Sequence, residues 1–227
     1  MQKHSGLRMS NIKTEQLIEE LTGKYGTEKT EKLVSYIDMV LDRNKFINLT
    51  AVRDRDEAMQ KHLADSLAVT SLPEYINAKT VIDVGTGTGF PGSLLAIADP
   101  DKSFILLDST LKRLKVIDEF AETLGITNIR TVHARAEEIQ NKPEYKEQFD
   151  LCVSRAVASM DKLTGWCLPF VRKGGSLAAY KGIGYENELT AAEKKLKKYR
   201  GRLDRIESAG LEDDGVSGHV IIVIDKY

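Results

Sequence analysis

The strongest constraint on this chain is the stretch Val81-Ile82-Asp83-Val84-Gly85-Thr86-Gly87-Thr88-Gly89-Phe90-Pro91-Gly92. A short apolar run enters a turn with glycine at alternate positions, and a helix-compatible segment follows. Closely spaced glycines let backbone approach a ligand where any Cβ would clash. Amides at the start of the following helix favour polar or anionic groups. A strand–glycine turn–helix unit of this kind belongs to an open α/β sheet, where ligands bind beyond the carboxyl ends of the strands.

The flanking sequence fits that frame. Before the turn the chain reads helical, with Ile12, Leu17, Ile18 and Leu21 at helical spacing after Ser10 and Asn11 as possible caps. Leu33, Val34, Ile37, Val40 and Leu41 form a second stripe, with Thr27 as its expected N-cap. A third helix is expected from Asp54, with Glu57 at capping-box spacing and Ala58, His62 or Leu63, and Leu67 inside. After the turn, strand and helix alternate. Pro91 is expected at the first helical position. Strands are expected at 103–107, 129–133, 149–154 and 176–181, and helices at 111–124, 160–168 and 186–199. Gly125 stops the first of these helices, and Gly174-Gly175 reads as a turn. Two closing strands, near 203–208 and 219–225, are joined through Asp213-Asp214-Gly215, a linkage that favours antiparallel pairing. Helices between strands imply a mostly parallel sheet with right-handed crossovers. The expected layout is one domain over 1–227: a helical extension over about 10–72 packed on a core over about 73–227.

Composition narrows the class. Apolar residues make up 41% and charged residues 30%, so neither a disordered nor a fibrous chain is indicated. No apolar run is long enough to span a bilayer, and the first ten residues do not resemble a signal peptide. Cys152 and Cys167 sit in apolar surroundings and read as buried free thiols of a reducing compartment; the expected location is cytoplasmic. The formal net charge of -1 means that any nucleic-acid contact must come from local patches.

Gly87-x-Gly89-x-x-Gly92 matches a dinucleotide fingerprint, which keeps an NAD(P)-dependent oxidoreductase open, as well as a non-catalytic cofactor- or RNA-binding module. Asp83, within the strand, is less welcome beside a pyrophosphate than near a cationic ligand. Asp108 at the end of the second strand can bond a ribose diol, as either nucleoside class requires. The Asp-x-Gly-x-Gly-x-Gly run is similar to the first motif of class I methyltransferases, and a closing antiparallel strand pair points the same way.

Several further segments resemble one family, the bacterial small-subunit ribosomal RNA guanine-N7 methyltransferases. They are Asn44-Lys45-Phe46-Ile47-Asn48-Leu49-Thr50, His62-Leu63-Ala64-Asp65-Ser66-Leu67, Leu107-Asp108-Ser109 with Lys112-Arg113, Arg135-Ala136-Glu137-Glu138, Ser154-Arg155-Ala156 and Tyr180-Lys181-Gly182. Ser93-Leu94 departs from the family's usual Ile-Pro. The resemblance implies a class I methyltransferase fold, S-adenosylmethionine as cofactor, and 16S ribosomal RNA or the small subunit as partner. It implies cofactor contacts from Gly85, Phe90, Ala136, Glu137 and Arg155, to which the turn and the strand end themselves add Gly87, Gly89 and Asp108. Asn44, His62, Asp65, Ser66 and Lys181 become candidate substrate-side residues, and no metal is expected. A monomer is expected.

Guanine N7 carries an in-plane lone pair, so no general base is expected; the enzyme's work is positioning and exclusion of water. Arg155 is the residue expected nearest the reaction, as a donor to guanine O6 or to a phosphate. A structural ion pair with Asp83 or Asp108 is its alternative role. The basic stretch 194–205 is read either as an RNA-backbone contact or as a solvated face partnered by Glu188 and Glu193. Phe90, Phe46 and Tyr180 are candidates for base stacking, with core packing expected for at least two of them.

Overall fold

The computed structural model describes residues 3–208 and 219–227, with side chains from residue 13 onward. Seven strands form one sheet in the order β3-β2-β1-β4-β5-β7-β6. They are β1 (Thr80–Val84), β2 (Ser103–Asp108), β3 (Ile129–His133), β4 (Phe149–Arg155), β5 (Val171–Lys181), β6 (Gly201–Ser208) and β7 (Val220–Lys226). The first five are parallel, and β7 lies antiparallel between β5 and β6. The expected doubly wound sheet with a closing antiparallel pair is therefore observed. The Asp213-Asp214-Gly215 turn lies outside the described residues.

Alternation along each strand divides the core between two faces. Val81, Leu106, Leu151, Ile221 and Val223 join the cluster on one face. Ile82, Val84, Cys152, Ile222 and Ile224 join the other, with Met160, Leu163 and Leu196 from the helices α9 (Met160–Cys167) and α10 (Tyr185–Lys198). The first face is covered by α6 (Gly92–Ala98) and α7 (Leu111–Leu124), and also by α1 (Lys3–Tyr25) and α2 (Thr27–Asn44). Leu33, Tyr36, Ile37 and Val40 of α2 belong to the same apolar cluster as Leu94, Phe104, Leu114 and Phe120. Both cysteines are buried and free. Among the described residues no helix is long and apolar enough to cross a membrane.

Several local features differ from expectation. Ser10 and Asn11 lie inside α1, which begins upstream of them. Gly26, at φ 83°, is the N-cap of α2, and Thr27 is the first helical residue. Pro91 is the N-cap of α6, one position earlier than expected. Gly174-Gly175 is no turn but part of β5, where the register against β4 shifts. A Cβ on Gly175 would stand 2.5 Å from the Asp150 carbonyl oxygen, so the strand passes there only as glycine. The helical run from Asp54 starts as expected, with the Asp54 carboxylate accepting from the Glu57 amide at 2.9 Å. It comprises α3 (Arg55–Ala58), a π turn (Met59–Ala64), α4 (Asp65–Leu67) and a 3-10 turn (Ala68–Ser71). Two short helices, α5 (Pro73–Asn77) and α8 (Ala136–Ile139), complete the fold.

Candidate active site

The tips of β1, β2 and β4 open into a cleft of about 370 Å³. It is lined by Gly85, Leu107, Asp108, Ala136, Glu137 and Val157, among others. Four of the expected cofactor residues thus share one cavity. Burial of a carboxylate at Asp108 is supported by backbone donors: Oδ2 accepts from the Gly87 amide at 2.9 Å and Oδ1 from the Thr110 amide at 2.8 Å. A carboxylate has about four acceptor sites, so lone pairs remain for a diol. Beyond β3, Glu138 caps α8 by accepting from the Arg135 amide at 3.2 Å. Capping is thereby assigned to Glu138, and Glu137 stays exposed on the cleft wall.

The glycines of the turn separate by what faces them. A Cβ on Gly87 would meet nothing nearer than the Gly85 carbonyl at 4.0 Å, whereas one on Gly85 would strike Val157. One on Gly89 would overlap the Tyr36 hydroxyl and Ser93, and one on Gly92 would overlap Leu106 and Asp83. Gly89 and Gly92 therefore serve packing, while Gly87 borders open space. Asp83 is fully buried, and its Oδ2 accepts from the Gly92 amide at 2.8 Å. Burial lifts its carboxyl to about 6, against the opposing effects of the nearby Thr86 hydroxyl, the Gly92 amide and the Arg155 charge. Asp83 shapes the turn from beneath.

Arg155 does not line the cleft, and its ion-pair partner is neither Asp83 nor Asp108. It ends β4 and reaches the helical extension: Nη1 donates to Asp65 Oδ2 at 2.8 Å and to the Lys61 carbonyl at 2.9 Å. Its guanidinium lies 5.4 Å from the centre of the Phe90 ring. The His62 ring stacks on the same Phe90 at 4.8 Å, and Tyr36 approaches it edge-on. Burial and the Arg155 charge push the His62 imidazole down to about 4. The ring bridges two elements: Nδ1 faces Arg155 Nη2 at 3.5 Å, and Nε2 shares a hydrogen bond with Thr50 Oγ1 at 2.8 Å. Asn44 in turn holds the loop that carries Thr50. Its Oδ1 accepts from the Leu49 and Thr50 amides, and its Nδ2 donates to the Thr50 and Val52 carbonyls. The three separated motifs are one contact chain ending on the glycine turn.

Expected α-helical spacing would place His62 and Ser66 on one face. The π turn changes that phase, as such turns often do at functional sites. His62 and Asp65 converge on Arg155, while Ser66 is fully buried and its carbonyl accepts from the Tyr180 hydroxyl at 2.8 Å. Lys181 pairs with Glu188 at 2.5 Å and donates to the Ala158 carbonyl. In the basic stretch, Lys195 pairs with Asp161 and Arg205 forms a bidentate pair with Glu74, so the acids expected as partners there are not the ones used. Of the stacking candidates, Phe90 and Tyr180 are buried, and only Phe46 is exposed, at 84%. Val157 and Trp166 line the cleft without having been signalled by any motif.

Comparison with known proteins decides among the nucleoside-binding classes. The family model described as rRNA small subunit methyltransferase G matches residues 29–215. The chain belongs to that family. A ribosomal RNA small subunit methyltransferase G of Moorella thermoacetica is 40% identical over 199 residues, covering 88% of this chain and 82% of that protein. One from Clostridium novyi is 36% identical over 200 residues, with 88% and 82% covered. The fold is also that of M. jannaschii TYW2 in complex with AdoMet, with a TM-score of 0.55, 16% identity, and 72% and 74% coverage. The ribosomal protein L11 methylase of Lactobacillus delbrueckii aligns with a TM-score of 0.52, 21% identity, and 72% and 77% coverage. As a member of the methyltransferase G family, the chain is an S-adenosylmethionine-dependent methyltransferase of small-subunit ribosomal RNA. This replaces the oxidoreductase reading that the glycine spacing alone leaves open.

Proposed function

We propose that this methyltransferase modifies N7 of a guanine in 16S ribosomal RNA, with the cofactor in the cleft at the tips of β1 and β2 and the guanine entering from the Arg155 side. The observation that carries this reading is the juxtaposition of that cleft, bounded by Gly85, Asp108 and Glu137, with the clamped Arg155 one residue from its wall at Ala156. The open space over Gly87 and the spare acceptor sites of Asp108 suit a ribose and its backbone contacts. Ala136 and Glu137 would flank the adenine.

Gly85, Asp108, Ala136 and Glu137 would hold S-adenosylmethionine, whose sulfonium would supply the methyl and, with it, the positive charge that the guanine ring takes up. No proton has to be removed from N7 first. The residues present agree: His62 is held neutral and is engaged by Thr50, and Cys152 is fully buried within β4. What remains for the protein is alignment, and alignment can contribute roughly 7–11 kcal/mol in well-oriented systems. Asn44 and Ser66, both buried, support the guanine side through the backbone; His62, Asp65 and Lys181 border it. Mass spectrometry of ribosomal RNA from cells lacking the protein is the test. Loss of one 7-methylguanosine is expected, and unchanged modification would refute the assignment.

A further inference from the structure

We infer that Asp65 is a positioning residue for Arg155: from the helical extension it locks one end of the guanidinium, balances its charge, and leaves the other edge for an acceptor on the target nucleotide. This rests on the guanine-N7 reading above.

An arginine has five N–H donors in a planar fork. Both donors of Arg155 Nη1 are consumed, by Asp65 Oδ2 at 2.8 Å and the Lys61 carbonyl at 2.9 Å. Nη2 has only a long contact, 3.5 Å, to His62 Nδ1, and Nε has no partner among the described residues. The free edge is therefore Nε–H and Nη2–H. N7 must keep its lone pair for the methyl, so that edge cannot grip O6 and N7 together in the usual arginine–guanine mode. It can take O6 alone or two phosphate oxygens.

Charge gives Asp65 a second task. Methyl transfer leaves positive charge on the guanine ring, and an unbalanced guanidinium nearby would oppose it. The pair is secluded, with side chains only 13% and 9% exposed, so the carboxylate's field is weakly screened. Neutral His62 adds no charge, and His219 Nδ1 stands 3.5 Å from the other Asp65 oxygen. Fully buried Asp83 also feels Arg155 but makes no ion pair with it.

The test is a double-mutant cycle on the full chain with saturating S-adenosylmethionine and small ribosomal subunits as substrate. Asp65→Asn is expected to lower kcat on the order of tenfold and to lower the melting temperature, while leaving the KM for the cofactor near wild type. In an Arg155→Gln background the same change should add nothing. Wild-type kcat in Asp65→Asn, or a full additional loss in the double variant, would overturn the inference. A second readout is independent of turnover. Nitrogen NMR of the Arg155 guanidinium should show slow rotation about the Cζ–Nη1 bond in the wild type and free rotation in Asp65→Asn; identical rotation in both would also overturn it. A wild-type protein that transfers no methyl to guanine would defeat the guanine-N7 reading, and the NMR arm would still decide the lock.

Discussion

A side chain on Gly87 would enter open space, while one on Gly89 would enter Tyr36 and Ser93. The two glycines should fail differently. Gly87→Val should abolish cofactor binding measured by calorimetry, with circular dichroism retained and a stability loss of about 1–3 kcal/mol from its positive φ of 59°. Gly89→Ala should instead lower stability by at least about 3 kcal/mol, because the joint between α2 and the turn cannot yield without breaking the Tyr36 contacts. A Gly87→Val protein with wild-type affinity would refute the turn assignment. The titratable pair at this site predicts a pH signature. His62 titrates at 6.5 when unperturbed and at about 4 in the fold, so its contribution is complete above 6.5 and lost as pH falls toward 4. Asp83 runs the other way: raised from 3.8 to about 6, it favours the fold below 3.8 and loses that contribution as pH rises through 6. The two oppose each other across the same window. Urea unfolding at several pH values should therefore show His62→Gln closest to wild type near pH 4 and furthest from it above 6.5; a difference independent of pH would show that the ring is not kept neutral by the fold.

At the scale of elements, periodicity was a good guide where short-range sterics decide. The α7 helix at 111–124 with Gly125 in the left-handed conformation, and β3 at 129–133, match expectation to the residue. It failed where the partner is distant. The π turn at Met59–Ala64 follows no helical stripe, and it brings His62 and Asp65 together at Arg155 in place of His62 and Ser66. Gly174-Gly175 read as a turn because two glycines usually mark one, yet the Asp150 carbonyl across the sheet is what demands Gly175, and Gly174 is set by its positive φ of 74°. The loop after α2 depends on a single buried amide. Asn44→Ala should cost about 2–4 kcal/mol, since it strands the Leu49 and Thr50 amides. It should also free His62 from Thr50, lowering ribosomal RNA methylation while cofactor affinity stays within about threefold. Equal loss of both activities would place Asn44 outside this relay.

For the whole molecule, the helical extension and the sheet share one apolar cluster: Tyr36 and Phe120 meet edge to face at 5.5 Å, and Lys29 donates to the Ala98 carbonyl. A fragment of residues 73–227 would expose the faces of α6 and α7 that α2 covers. It is expected to lack a cooperative thermal transition, and a fragment with a sharp melt near that of the intact chain would show that the extension is an accessory. The amino-acid sequence by itself determined the strand–turn–helix register, the acid that ends β2, and the family, because glycine sterics and side-chain periodicity act within a few neighbouring residues. Only the tertiary structure decided which glycine borders open space and which faces Tyr36, that Val157 and Trp166 wall the cleft, and that Arg155 answers to Asp65. Those outcomes depend on approach between segments up to 90 residues apart, where packing, and no local preference, selects the partner.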